Sequence, residues 1–198
     1  MSTLKLRVQD SEHMLFQYGT SLRTHRRTSK EALMSKCILY LDYDGVLHPG
    51  PVYRHPKRGM FFGPEHEGHT LFENASVLIE ALAPYPRVSI ILATAWVRVL
   101  GYSSAKAYLP LALQQRVTGA TFHSRMNRLE YDAMTRGAQV LADATRRGTN
   151  NWIAIDDDDE GWLSATAQHL VLTNGKTGLS ERGAMDTLIR KLKAQMKL

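Results

Sequence analysis

Two short apolar runs in this chain each end abruptly in aspartate. Ile38-Leu39-Tyr40-Leu41 runs into Asp42-Tyr43-Asp44-Gly45, and Trp152-Ile153-Ala154-Ile155 runs into Asp156-Asp157-Asp158-Asp159. An apolar run of four or five residues closed by a polar cluster reads as a strand buried on both faces. Further runs of this kind are Val88–Leu92, Val117–Gly119 and His169–Leu172, and segments of helical pattern lie between them. Strands alternating with helices build βαβ units, so the expected fold is α/β: a Rossmann-like open parallel sheet with helices on both faces. Such sheets bind ligands at the carboxyl ends of their strands. Asp42 to Asp44, Thr94, and Asp156 to Asp159 all fall at strand ends, and the fold would gather them on one edge.

The intervening segments are expected as follows. Pro49 to His69 is rich in Gly, Pro, His and charge and lacks an apolar period, so it reads as a long flap-like excursion. Asn74 is placed to cap a helix ending near Ala83, before Pro84 and Pro86. A short helical piece spans Leu109 to Gln115. Glu130 to Arg146 reads as one helix, with Tyr131, Met134, Ala138 and Leu141 on one face and Gly148 as its stop. Ser180 opens a terminal helix through Leu192. His66-Glu67-Gly68-His69 has the wrong spacing for a zinc helix, and with His48, Arg54, His55, Lys57 and Arg58 its segment is expected to lie over the site and touch substrate.

Of the 198 residues, 25 are Lys or Arg and 19 Asp or Glu, a net charge of +6. Residues 1–36 carry seven basic residues against three acidic ones, which accounts for +4 of it. They read as a basic N-terminal extension, either a nucleic-acid or membrane-surface contact or a solvated arm, preceding a catalytic domain at 37–198. Cys37 is the one cysteine, which excludes an intramolecular disulfide and a multi-thiolate zinc site. No apolar stretch is long enough to span a bilayer, and no signal-peptide pattern is present. A cytoplasmic setting is the simplest fit. Oligomeric state is open.

Two carboxylates two residues apart at a strand end project in roughly the same direction, and a hard cation such as Mg²⁺ would offset their repulsion. The other reading of Asp-x-Asp-Gly is a tight turn in which the acids bond local amides. The acidic run from Asp156 is either a solvated loop or the second half of the same cation site. EF-hand readings from Asp42 or Asp156 fail, since Tyr53 and Ala167 fall where a bidentate Glu is needed.

Together, LYLDYDGVLH at 39–48, ILATAW at 91–96, Arg128-Leu129-Glu130 and IAIDD at 153–157 resemble the haloacid-dehalogenase (HAD) superfamily of phosphohydrolases. The resemblance is closest to the small HAD domains associated with bacterial RNA-repair proteins, through the DxDGVLH start and a late turn at Gly178-Leu179-Ser180. It covers about residues 37–198. It implies Asp42 as nucleophile, Asp44 as general acid and base, and Thr94 as a phosphate ligand. It implies Mg²⁺ held by Asp42, the Asp44 main-chain carbonyl and Asp156, with Asp157 at or just behind the ion. The third motif needs a cation, for which Arg128 is the first choice and Arg125 the second. Arg98 departs from the pattern, because Val97 separates it from Trp96.

Neither Gly45 to Ala93 nor Ala95 to Asn127 is long enough for a full cap domain. An open site suits a phosphate carried on a bulky molecule such as a nucleic-acid end. The expected function is therefore a Mg²⁺-dependent phosphomonoesterase. The alternatives are a small-metabolite or nucleotide phosphatase of the same mechanism, a phosphoryl-transfer enzyme, and a non-catalytic phosphate- or nucleic-acid-binding module.

Overall fold

A computed structural model describes residues 36–196; apart from Lys36, the expected N-terminal extension lies outside the described residues. Five strands form one sheet: β1 (Cys37–Leu41), β4 (Val88–Leu92), β5 (Val117–Ala120), β6 (Trp152–Asp156) and β7 (Leu170–Leu172). Their order is β5-β4-β1-β6-β7 and every pairing is parallel. Buried Val, Ile and Leu dominate the central strands, as a parallel sheet covered on both faces requires.

The two-residue alternation of the strands sorts the core into two layers. Leu39, Leu41, Ile90, Leu92, Ile153 and Ile155 face one way. That layer packs against α1 (Ala75–Leu82), α2 (Trp96–Leu100), α3 (Tyr102–Ala107), α4 (Leu111–Gln114) and α8 (Arg182–Met196). Tyr40, Ile91 and Ala154 face the other way, against Val140 and Ala144 of α6 (Arg136–Arg147). The α/β architecture with helices on both faces, and among the described residues no large cap, is thus as the sequence implies.

Several local expectations change. The excursion after β1 contains an antiparallel hairpin, β2 (Val52–His55) with β3 (Gly59–Phe62), and a turn of 3₁₀ helix at Pro64–His66. Its alternation is masked in the sequence because all four residues of β3 are only partly buried. Asn74 precedes α1 but its side chain does not cap it; Nδ2 instead donates to the Val46 and Thr177 carbonyls, tying the turn after β1 to the loop after β7. The helix expected over 130–146 is two helices, α5 (Arg128–Asp132) and α6, broken at 133–135. The buried face of α6 is Gly137, Val140, Asp143 and Ala144, not the stripe through Ala138 and Leu141. A short α7 (Ser164–Ala167) precedes β7, and no helix of the described residues is long and apolar enough to cross a membrane.

Candidate active site

β1 lies between β4 and β6, and later strands run outward on both sides of it. Where strand order reverses in this way, the connections leave a crevice beyond the carboxyl ends of the strands. Leu41 pairs with Ile155 and with Leu92, so the next residues along, Asp42 and Asp156, stand side by side, with Thr94 just beyond β4. Alternation also puts Asp42 and Asp156 on the α6 side of the sheet, in phase with Tyr40 and Ala154.

That side brings in a cation other than the expected Arg128 or Arg125. Arg136, the first residue of α6, places Nη2 3.3 Å from Asp42 Oδ2 and Nε 3.1 Å from Asp156 Oδ2. The Nε–H is not aimed along the second contact, which is an ion pair and not a hydrogen bond. Burial alone would lower the guanidinium, but Asp42 and Asp156 outweigh it and hold Arg136 above its ordinary value. Arg128 does not reach the carboxylates. It is 65% exposed and pairs with Asp132, 3.6 Å away on its own helix. The difference follows from the helix break: Arg136 is the opening residue of a new helix pointing its N-terminus at the site, where one continuous helix would have made it an interior position.

Asp42, Asp156 and Asp157 each offer a carboxylate oxygen within 4.8 Å of the others. Burial pushes Asp42 up against the opposing pull of Arg136 and the Tyr43 amide, which donates to Oδ1 at 2.7 Å. Burial and then Asp42 push Asp156 well up, and the same two causes bring Asp157 to about 6. Three clustered acids, two of them buried, form a site that favours either protons or a cation. Asp157 is accommodated by glycine: a Cβ on Gly45 would stand 2.2 Å from its Oδ2, and Gly45 has φ +68°. An all-oxygen donor set of this kind suits a hard divalent ion such as Mg²⁺.

The Asp44 side chain, close enough to raise Asp42 and Asp157, takes its own partners outside this trio. The chain leaves the extended conformation after Asp42 and makes a tight turn, in which the Leu47 amide donates to the Tyr43 carbonyl at 2.9 Å. Asp44 Oδ1 instead accepts from Trp96 Nε1 at 2.9 Å and lies 3.0 Å from His48 Nε2. His48 is fully buried, so it is not a substrate-touching residue of the flap as its segment suggested. Thr94 is buried, its side chain is among the groups that pull Asp42 down, and its Oγ1 accepts from the Trp96 amide at 3.3 Å.

A polar cavity of about 190 Å³ adjoins these groups, lined by Thr94, Arg98, Tyr131, Arg136, Gln139 and Asp158 among others. Arg98 therefore faces the site despite the inserted Val97, and it also pairs with Asp132. A roomier hollow of about 540 Å³ runs along β5 past Tyr102, Phe122 and Arg146, and includes none of the carboxylates.

A search of the curated proteins found no match. Comparison with protein families matched residues 38–184, which include Asp42, Thr94, Arg136, Asp156 and Asp157, to the HAD domain in Swiss Army Knife RNA repair proteins. The chain belongs to that family of HAD domains.

Proposed function

We propose that the protein is a Mg²⁺-dependent phosphomonoesterase that works through an aspartyl-phosphate intermediate and acts on nucleic-acid ends. The observation that carries this reading is the shared use of Arg136 by Asp42 and Asp156, with the Asp157 carboxylate completing the cluster. Asp42, Asp156, Asp157 and the Asp44 main-chain carbonyl would hold the ion. When bound, Mg²⁺ would offset the charge of the carboxylates and of the incoming phosphate.

Asp42 attacks phosphorus in line, forming an acyl phosphate as the ester P–O bond breaks. Asp44 gives its proton to the departing oxygen, then takes one from the water that cleaves the intermediate. The Thr94 hydroxyl and the Arg136 guanidinium, with Arg98 across the polar cavity, hold the phosphoryl oxygens. Arg136 thereby supplies the third-motif cation in place of Arg128.

Support for a polynucleotide substrate comes from three directions. The family description concerns RNA repair. Among the described residues no large cap closes the site. The β2–β3 hairpin carries Arg54, Lys57 and Arg58, all exposed, and residues 49–63 contain no acid. The Arg54 guanidinium donates to the Val99 carbonyl at 3.2 Å, fastening the hairpin to α2 beside the site, so its basic tip is available to phosphates further along a strand. The deciding experiment measures phosphate release from 3′- and 5′-phosphorylated oligonucleotides beside sugar phosphates and mononucleotides. Faster release from an oligonucleotide is expected. Preference for free metabolites would assign the same chemistry to a small-molecule phosphatase.

A further inference from the structure

Asp44 Oδ1 is held from two sides by parts of the chain far apart in sequence. Trp96, the first residue of α2, donates its indole N–H at 2.9 Å. His48 approaches the same oxygen through Nε2 at 3.0 Å. The ring proton of His48 is located by its other nitrogen: the Phe72 amide donates to Nδ1 at 3.2 Å, so Nδ1 supplies a lone pair and Nε2 carries the hydrogen. Both contacts to Asp44 are thus N–H donors on one oxygen. Among the described residues, Oδ2 has no such partner.

The surroundings fix this arrangement. His48 is 0% exposed and Trp96 2% exposed, and the rings of Phe62, Phe72 and Trp96 stand 5.7, 5.0 and 5.8 Å from His48. Phe72 has φ +63°, a left-handed conformation that is costly for a bulky residue. In that conformation its amide meets Nδ1. His48 has both nitrogens engaged and is sealed from solvent, which leaves it no contact with substrate.

We propose that His48 and Trp96 are positioning residues that set Asp44 in a single orientation, with Oδ1 taken by both donors and Oδ2 turned to the ester bond that breaks. The proposal rests on the phosphatase reading and adds to it a division of labour between the two oxygens. In the first step the bond from Asp42 to phosphorus forms, the ester P–O bond breaks, and the proton on Asp44 Oδ2 passes to the departing oxygen. Removing one donor frees Asp44 to rotate, leaving nucleophile and carboxylate cluster in place. The defect then depends on how much the leaving oxygen needs a proton.

Phenyl phosphate and p-nitrophenyl phosphate test this, because they share a ring and differ in the basicity of the departing phenolate. For Trp96→Phe, which keeps an aromatic ring and deletes the N–H, kcat/KM for phenyl phosphate should fall about tenfold further than for p-nitrophenyl phosphate. His48→Phe should show the same asymmetry, and His48→Gln, which restores an N–H, should recover part of it. Thermal unfolding of each variant checks the fold, and Trp96→Phe decides the matter if the His48 variants do not fold. Equal losses on the two esters, or none, in a folded variant overturn the positioning role. If the wild type hydrolyses neither ester, the phosphatase reading itself fails.

Discussion

Arg136 Nη2 lies 3.3 Å from Asp42 Oδ2 although 94 residues separate them in the chain. The pair links the end of the central strand to the start of the helix on the opposite layer from most of the core, and Asp156 shares the same guanidinium. A cation at that point balances part of the carboxylate cluster, and in the proposed reaction it would also meet the incoming phosphate.

Arg136→Met should therefore lower kcat/KM by roughly 10²–10³, the scale for loss of one preorganised charge-stabilising donor. Arg128→Ala, at an exposed position, should change it by less than about threefold. Steady-state kinetics on one aryl phosphate separates the two. A larger loss at Arg128 would return the third-motif role to it.

Stability should depend on pH and metal in opposite senses. Burial, then Asp42, raises Asp157 from 3.8 to about 6, and burial raises Asp42 and Asp156 too. The folded metal-free protein thus binds protons that the unfolded chain has released, so its stability falls as pH rises from about 4 to 6. Mg²⁺ held by the same carboxylates would compete with those protons. Its effect on Tm should be small near about pH 5 and larger near about pH 7.5, read by thermal unfolding with and without the ion. Equal metal stabilisation at both pH values would contradict the cluster as the binding site.

Gly45→Ala should weaken Mg²⁺ binding more than it weakens the fold. The new methyl group would stand 2.2 Å from Asp157 Oδ2 at a backbone φ of +68°, forcing that carboxylate aside or the turn open. Calorimetric titration with Mg²⁺ should show affinity reduced about tenfold or more, comparable to loss of a supporting contact at a metal site. Unchanged affinity would place Asp157 outside the ion's reach.

Away from the site, Asp143 is buried under α6 and accepts from Tyr40 Oη at 2.9 Å while pairing with Arg146 and Arg147. Asp143→Ala leaves the Tyr40 hydroxyl without its acceptor in the interior, which should cost about 1–3 kcal/mol in urea unfolding. Tyr40→Phe removes the other half of the contact and leaves Asp143 its two arginines, so it should cost less.

The strand ends were legible in the sequence because strand periodicity is two residues and parallel neighbours run in step. Once Ile38 to Leu41 and Trp152 to Ile155 are adjacent buried strands, Asp42 and Asp156 must emerge together. Arg136 was not legible in this way, since a helical stripe can be drawn unbroken through Ala133 to Thr135. Thr135 before Arg136-Gly137 was the available signal, a residue of capping type at what proves to be a helix start. The partners of Asp44 were not legible either: spacing of two sets side chains in one direction only while the chain stays extended, and here it turns at once, so the Asp44 carboxylate meets Trp96 and His48. The contacts of His48 were hidden because Phe72 and Trp96 reach it only through the fold.

The central claim is that Asp42 is the nucleophile of a metal-dependent phosphatase. Phosphate release from p-nitrophenyl phosphate, followed for the wild type and Asp42→Asn with Mg²⁺ and with chelator, tests it most directly. Turnover by the wild type in Mg²⁺, and none by Asp42→Asn or in chelator, is the predicted result; equal turnover by the two proteins would contradict it.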